Sequence, residues 1–405
     1  MEQQRTQTAE VEGFYRTKFT NQELYGWMAR ELYVVFSESY RIAFEMARHA
    51  ERAFQRERGD TSQTFIKFGA WDGTRQGLLA GEKLASDLRR MDAAYHTQNA
   101  REHEIVKTIS IAQLSPAEFL RLREGTAWSL GKAGAYACSF SLPEALFDED
   151  YPTHHMRRIK AVNVTLQAAA GPYQSVSGRL QLQQSSVRRT PTGLATSEPG
   201  PITSMVTSGG VNDTGMFELN FRDERYLPFE YRGVQADGSN PQWKFTLSGG
   251  NEFPYESITD LVFQLRYTAR EGRAAAAPAI LSPRSVLIRV PHTYADAWTA
   301  FKEIGALPLT FQTTAKTFPA GKARTRDAIT AATVYVRDTA APTITLQAVS
   351  AWSPAPLLAT AFDGNPGFFA VTFTGGPVCD VPLTWKITAP STITDLWIAF
   401  TYALT

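Results

Sequence analysis

Cysteine is nearly absent: Cys138 and Cys379 are the only two in 405 residues. They lie far apart and in different expected domains. No disulfide framework is indicated, and the chain reads as one made in a reducing compartment with two buried thiols. An excess of either charge is missing too. The 41 basic and 40 acidic side chains leave a formal net charge of +1. No basic tract or face stands out, which argues against a nucleic-acid binder. No run of about 18 apolar residues occurs, so no segment reads as a bilayer-spanning helix. Catalytic fingerprints are lacking as well: there is no Gly-x-Ser-x-Gly, P-loop or dinucleotide motif. The six histidines do not combine into a metal site. His154 and His155 are adjacent and point to opposite faces of an extended chain. His96 and His103 stand about 10 Å apart on a helix, too far for one ion. Asp363-Gly364-Asn365-Pro366-Gly367 lacks the further oxygen ligands of a calcium loop and reads as a hairpin turn. No catalytic, cofactor-binding or metal residue is nominated, and the chain is expected not to be an enzyme.

What is present is material for cores. At 43% hydrophobic and 12% aromatic residues, a chain of this length is expected to form two or three domains. The expected fold class is α+β and multidomain, with long, bundle-like or coiled-coil-like helices at residues 1–110. An antiparallel β-sandwich follows at 111–272, and an appended second sandwich at 284–405. In the first part Leu24, Met28, Leu32, Val35, Phe36, Ala43, Ala47, Ala50 and Phe54 recur near helical spacing, ending at Gly59-Asp60. Thr20-x-x-Glu23 has the form of a capping box. Phe68-Gly69-Ala70-Trp71-Asp72-Gly73 breaks the pattern, and Leu84, Leu88, Met91 and Tyr95 mark another helix. Nearly half of all charged side chains fall in residues 1–130, as a solvated face on long amphipathic helices.

Thr108 to Leu114 reads as a strand and Ser115-Pro116-Ala117-Glu118 as a second capping box. Arg158 to Leu166, Ser177 to Gln183, Gly215 to Phe221, Trp243 to Leu247 and Leu261 to Thr268 alternate apolar and polar residues, as half-buried strands do. Ser185 to Pro201 reads as a long loop, and residues 272–283 as a boundary. Ser285 to Val290, Ala332 to Arg337, Thr343 to Val349, Phe368 to Thr374, Leu383 to Ile387 and Asp395 to Tyr402 supply about six further strands. Tyr294 to Ile304 reads as a short helix. Asn163-Val164-Thr165 and Asn212-Asp213-Thr214 are sequons by coincidence. Trp243, Trp352, Trp385 and Trp397 read as core, with a sugar-binding surface as the other use.

The chain is organised around Gly210 to Glu230. A turn at Val211-Asn212-Asp213-Thr214-Gly215 opens a strand with Phe217, Leu219 and Phe221 on one face. A charged corner follows, Arg222-Asp223-Glu224-Arg225, and then Tyr226-Leu227-Pro228-Phe229. This stretch resembles the A component of the Tc insecticidal toxin complexes, in the C-terminal domain that binds the B component. Phe19 to Met28, Phe68 to Thr74, Arg157-Arg158-Ile159-Lys160, Gly171-Pro172-Tyr173 and Leu265 to Arg270 are similar to that family in the same order. The resemblance covers residues 13 to 272.

The resemblance implies a structural and docking role, without cofactor, at the entrance of a translocation channel. It implies a TcB-type partner and a homo-oligomer, pentameric in the family. It also implies synthesis in a bacterial cytoplasm without a signal peptide and release as an extracellular toxin component. The family's A component is far longer than this chain. The docking patch is expected at Arg222, Asp223, Glu224, Arg225, Tyr226 and Phe229, because interfaces favour Arg and Tyr anchors. The other use of those residues is to brace the sandwich internally. The alternative function is a carbohydrate- or receptor-binding β-sandwich, resting on residues 284–405 and their tryptophans.

Overall fold

The computed structural model describes residues 2–18, 21–75, 77–125, 136–169, 174–191, 193, 195–197, 202–210, 217–220, 229–236, 241–249, 251, 253–272, 283–305, 308–320 and 325–404. Two compact units divide the chain, Met1–Arg101 and Glu102–Thr405. The first is helical: α1 (Glu2–Lys18), α2 (Asn21–Arg58) and α3 (Ala80–Gln98). At 38 residues, α2 has the expected length and stops at Gly59, whose φ is 71°. The aromatic elbow docks on it. Trp71 lies 5.9, 5.4 and 5.0 Å, between ring centroids, from Tyr33, Phe36 and Tyr40, which recur at helical spacing. Gly77 makes room for that ring; a Cβ there would sit 2.4 Å from it. The buried Glu51 carboxylate accepts from Arg48 at 3.0 Å and from the Phe65 and Ile66 amides at 2.5 and 2.9 Å. Much of the expected apolar stripe stays uncovered: Leu24, Met28, Leu32, Val35 and Phe36 are exposed, whereas Ala47 and Phe54 are buried.

The second unit is mostly antiparallel sheet. Its first half runs β1 (His103–Ser110), α4 (Ile111–Leu114), α5 (Pro116–Glu124), β2 (Ala137–Phe140), α6 (Glu144–Asp148), β3 (His155–Gln167) and β4 (Ser175–Leu182). It continues with β5 (Ser186–Arg188), β6 (Ala195–Ser197), β7 (Thr203–Gly210), β8 (Phe217–Asn220), β9 (Trp243–Leu247) and β10 (Asp260–Arg270). The main sheets have the orders β1-β10-β3-β8 and β2-β9-β4-β7. They pack face to face through Phe263, 5.3 Å from Phe140 and 5.1 Å from Trp243. Inward Leu261, Phe263, Leu265 and Tyr267 follow the period of two read from the sequence.

Three expected features differ here; within 185–201, expected as a loop, β5 and β6 pair antiparallel. The strand lies earlier than Thr108 to Leu114, because Ser110 caps α4 by accepting from the Gln113 amide at 3.3 Å. The capping box at Ser115 does not form. Glu118 is drawn away to Arg121 and to the Ser139 amide at 2.9 Å, on the edge of β2.

The second half holds β11 (Arg284–Arg289), α7 (Val290–Thr293), α8 (Ala295–Ile304), β12 (Leu309–Thr313), β13 (Arg326–Arg337), β14 (Thr343–Ala348), β15 (Leu357–Leu358), β16 (Thr360–Ala361), β17 (Phe368–Thr374), β18 (Leu383–Thr388) and β19 (Asp395–Leu404). The sheet orders are β11-β19-β13-β17-β16 and β12-β18-β14-β15. Buried Trp385 joins the sheets: it lies 4.7 Å from Phe400, and its Nε1 donates to Thr313 Oγ1 at 2.9 Å.

The outer face of the five-stranded sheet is not solvated throughout. Tyr335, Phe368, Trp397 and Ala399 belong to the same buried cluster as the core of the first half. Ionic ties rim this seam. Arg123 at the end of α5 pairs with Glu124, lies 3.9 Å from Asp395, donates to Glu256 O at 2.5 Å, and stands over the Trp397 ring at 4.7 Å. Arg289 donates to Asp395 at 2.9 Å, and Arg337 pairs with Glu124 and, at 2.7 Å, with Glu256. Arg121 pairs with Asp363, so the turn read as a hairpin is also a docking point.

Replacing Asp395 with alanine leaves Arg123 buried without one of its counter-charges, which typically costs about 3–5 kcal/mol. Gln312→Ala, on the exposed face of β12, is expected to cost under about 0.5 kcal/mol. Urea unfolding midpoints of the two variants check the ranking; equal midpoints contradict it.

Candidate docking site

The charged corner Arg222, Asp223, Glu224 and Arg225, together with Tyr226, lies outside the described residues. Its flanks on both sides are described. On the near side β8 pairs with β3, Asn220 opposite Asn163 and Leu219 opposite Val164. On the far side Phe229 is 2% exposed, its ring edge-on to Trp243 at 5.2 Å. The structure therefore places Phe229 in the core, as a root of the segment and not as a ring on its surface. The next residues return to β3: the Tyr231 amide donates to Ile159 O at 2.9 Å, and the Ile159 amide donates to Arg232 O at 2.8 Å. Both flanks are thus tied to one strand, at positions about 13 Å apart along it. Gly233 is required at this return, since a Cβ there would lie 2.1 Å from Ser186 O.

Two of the quoted motifs turn out to be neighbours. Arg157-Arg158-Ile159-Lys160 lies on β3 beside Leu265 to Arg270 on β10, with Thr268 opposite Arg158. Carboxylates from the start of β1 cross-link them. Glu102 accepts from Arg158 at 2.5 Å and from Arg270 at 3.0 Å. Glu104 pairs with Lys160 and, at 3.5 Å, with Arg266. Asp148 accepts from Arg157 at 2.6 Å and from Arg188 at 2.8 Å. Arg157 and Arg158 are almost wholly buried, so these side chains shape the post from within and do not present a contact surface. Gly171-Pro172-Tyr173, Phe19 and Thr20 lie outside the described residues.

One surface residue escaped the sequence reading. Tyr231 is 48% exposed, has φ 59°, and stands under the Arg158 guanidinium at 5.3 Å from its ring. A left-handed tyrosine costs backbone energy, and such strain gathers at functional sites. Its only sequence sign was an aromatic just past the corner, and nothing local announces its φ. The tryptophans fare differently. Trp243, Trp385 and Trp397 are buried, and Trp352 is half-buried against Phe373 and Trp385, so they form no sugar-binding platform. Among the described residues no group of three His, Cys, Asp or Glu side chains is placed to hold a metal ion.

A family model described as "Tc toxin complex TcA C-terminal TcB-binding domain" matches residues 1–269. Toxin subunit YenA2 of Yersinia entomophaga is 33% identical over 293 residues, 67% of this chain and 20% of that protein. The cryo-EM structure of Yersinia pseudotuberculosis TcaA-TcaB is similar over 67% of this chain and 15% of that one, at 27% identity and a TM-score of 0.45. The chain thus spans about a fifth of the length of the curated relative it matches.

At the start of β3 lie His154 and His155, close to several arginines. His154 is stacked between Tyr151 at 4.8 Å and His103 at 5.7 Å. Burial holds its pKa below the usual histidine value, helped by Arg157 and His103. Burial likewise lowers that of His155, followed by Arg270 and Arg188. The unfolded chain therefore takes up protons that the folded one refuses. Stability from these groups is present above pH ~6.5 and is lost as pH falls through that value toward the lower folded pKa. Urea midpoints at pH 7.5 and 5.5 measure the loss; it is expected to shrink in the His154→Gln/His155→Gln variant, and an equal loss in both proteins contradicts the assignment.

Proposed function

Because this chain belongs to the Tc toxin A-component family through its TcB-binding domain, we propose that it is a non-enzymatic docking piece receiving a TcB-type component at the channel entrance. The observation that carries the reading is the segment held by β3 at both flanks within the matched domain. Those flanks are tied by backbone hydrogen bonds to one strand, and the strained, exposed Tyr231 follows the charged corner in sequence. An exposed aromatic close in sequence to charges suits a docking patch: the ring supplies burial and the charges steer the encounter. The patch comprises Arg222, Asp223, Glu224, Arg225 and Tyr226, with Tyr231 added; Phe229 is buried and serves the core.

The helical unit serves assembly. No helix among the described residues is long and apolar enough to cross a membrane, yet α2 leaves Leu24, Met28, Leu32 and Val35 uncovered along one stripe. A second copy of the chain supplies matching apolar surface, and the pentamer implied by the family resemblance covers it. The protein is made in a bacterial cytoplasm and acts after release as part of an extracellular toxin.

Surface-plasmon binding to a purified Tc B component tests the docking reading. Tyr231→Ala is expected to weaken binding by about 1–2 kcal/mol, and charge reversal at Arg222 and Arg225 by about 2 kcal/mol or more. The reversal also slows association, by an amount that shrinks with salt. Thermal melts are expected to stay in place; unchanged affinity in both variants contradicts the patch. For assembly, light scattering of the intact chain is expected to show an oligomer that Leu32→Lys/Val35→Lys dissociates. A monomeric wild-type chain at micromolar concentration contradicts it.

A further inference from the structure

A cavity of about 940 Å³ lies within the second unit, and its walls come from three different sheets. Four consecutive residues of β1, Lys107 to Ser110, line it. So do Ser139 to Ser141, from the end of β2, and Pro283 to Ser285, at the start of β11. Side chains of a strand alternate between faces, so a wall made of consecutive residues shows the cavity the strand's edge. The sheet orders agree: β1, β2 and β11 are each the terminal strand of their sheet among the described residues. Three strand edges therefore converge on one space, and edge strands carry unpaired backbone donors and acceptors that invite another strand.

The chemistry of the walls narrows the occupant. Their charged groups are already matched: Lys107 with Asp150, Arg284 with Glu149, and Glu118 with Arg121. A charged ligand finds no free counter-ion there. The edge of β2 shows what the backbone groups want, for its Ser139 amide is satisfied by a carboxylate oxygen of Glu118 at 2.9 Å, standing where a neighbouring strand's carbonyl would. The lining mixes apolar side chains, such as Phe140 and Leu146, with small hydroxyls, such as Ser115 and Ser141, which leave room for a backbone to approach. At about 940 Å³ the space is at the upper end of small-ligand pockets and has no floor of converging charged groups to orient one.

We propose that this cavity receives an extended, uncharged segment of the TcB-type component, which adds as a strand to the edge of β1 that is open among the described residues. Main-chain hydrogen bonds give such an addition its affinity, and the serine-lined walls admit it without a charge requirement. The proposal rests on the docking reading above and adds a second, backbone-mediated contact to the charged patch. The two contacts divide the work. Corner charges govern the encounter, while strand addition governs how long the complex lasts.

The test uses the full chain with and without a purified Tc B component, followed by hydrogen exchange resolved to residues 103–112. Strand addition is expected to slow exchange of amides in 107–110 by about tenfold or more, with β17 unchanged as an internal reference. Gln113→Trp, at an exposed position on the cavity rim, and Ser285→Trp are each expected to raise the dissociation rate by about tenfold without moving the thermal melt. Should one variant fold poorly, the other and the exchange data still decide. A complex that forms with unchanged exchange at 107–110 overturns strand addition and leaves the docking reading standing. Absence of any complex overturns both. Slowing that grows with concentration of the chain alone assigns the edge to a second copy, and overturns the proposal.

Discussion

A guanidinium that is 1% exposed must be neutralised where it stands, and Arg123 is such a group. Burial lowers its pKa, and burial likewise raises that of Glu124 beside it. Neither residue is at ease without the other and without the second-half residues that reach them. Asp395 and Trp397 come from the last strand, and Arg337 from β13. This arrangement closes the unit across more than 270 positions of sequence. Replacing buried ion pairs with apolar residues can leave stability unchanged, so their value here is better sought in specificity. A flat apolar face formed by Trp397, Tyr335 and Phe368 could dock in several ways; the ionic rim admits one.

That seam changes the standing of the C-terminal residues. Beyond the part matched by the family model, they form two sheets of their own, yet one sheet gives its outer face to the first half's core. The corner segment is governed by the same logic on a smaller scale. The family-like motifs of β3 and β10 are ties between strands, held by Glu102 and Glu104, and their role is to make β3 a fixed post. A post fixed in this way sets where the segment begins and where it returns.

Much of this was legible in the sequence, and the failures have physical causes. Period-two alternation located β9 to the residue and the cores of β3 and β10, because each has one face in a core; β17 and β19 were read as strands without it. Strands β2 and β7 went unread because they are short or lie among small polar residues, where alternation is weak; β12 went unread although its residues alternate. The corner was recognised as exceptional, but its aromatic anchor was assigned to the surface, since nothing in a Pro-Phe pair says which way the ring turns. Tyr231 was invisible because its conformation is imposed by β3 and Arg158, neither of them local. The seam did leave a trace that went unused. In β19 the first six residues are all buried, and a run without polar alternation is the mark of a strand covered on both faces.

The central claim is that the two halves of residues 102–405 form one cooperative body, closed by the Arg123 seam. Native-state hydrogen exchange of the intact chain in rising urea measures this directly, by following the slowest amides of β10 in the first half and of β17 in the second. The account predicts that both sets open together, with one free energy and one dependence on urea, because separating the halves exposes Arg123 and Trp397 at once. If β17 opens at markedly lower urea while β10 keeps its full protection, the C-terminal half is an independent appendage and the account is contradicted.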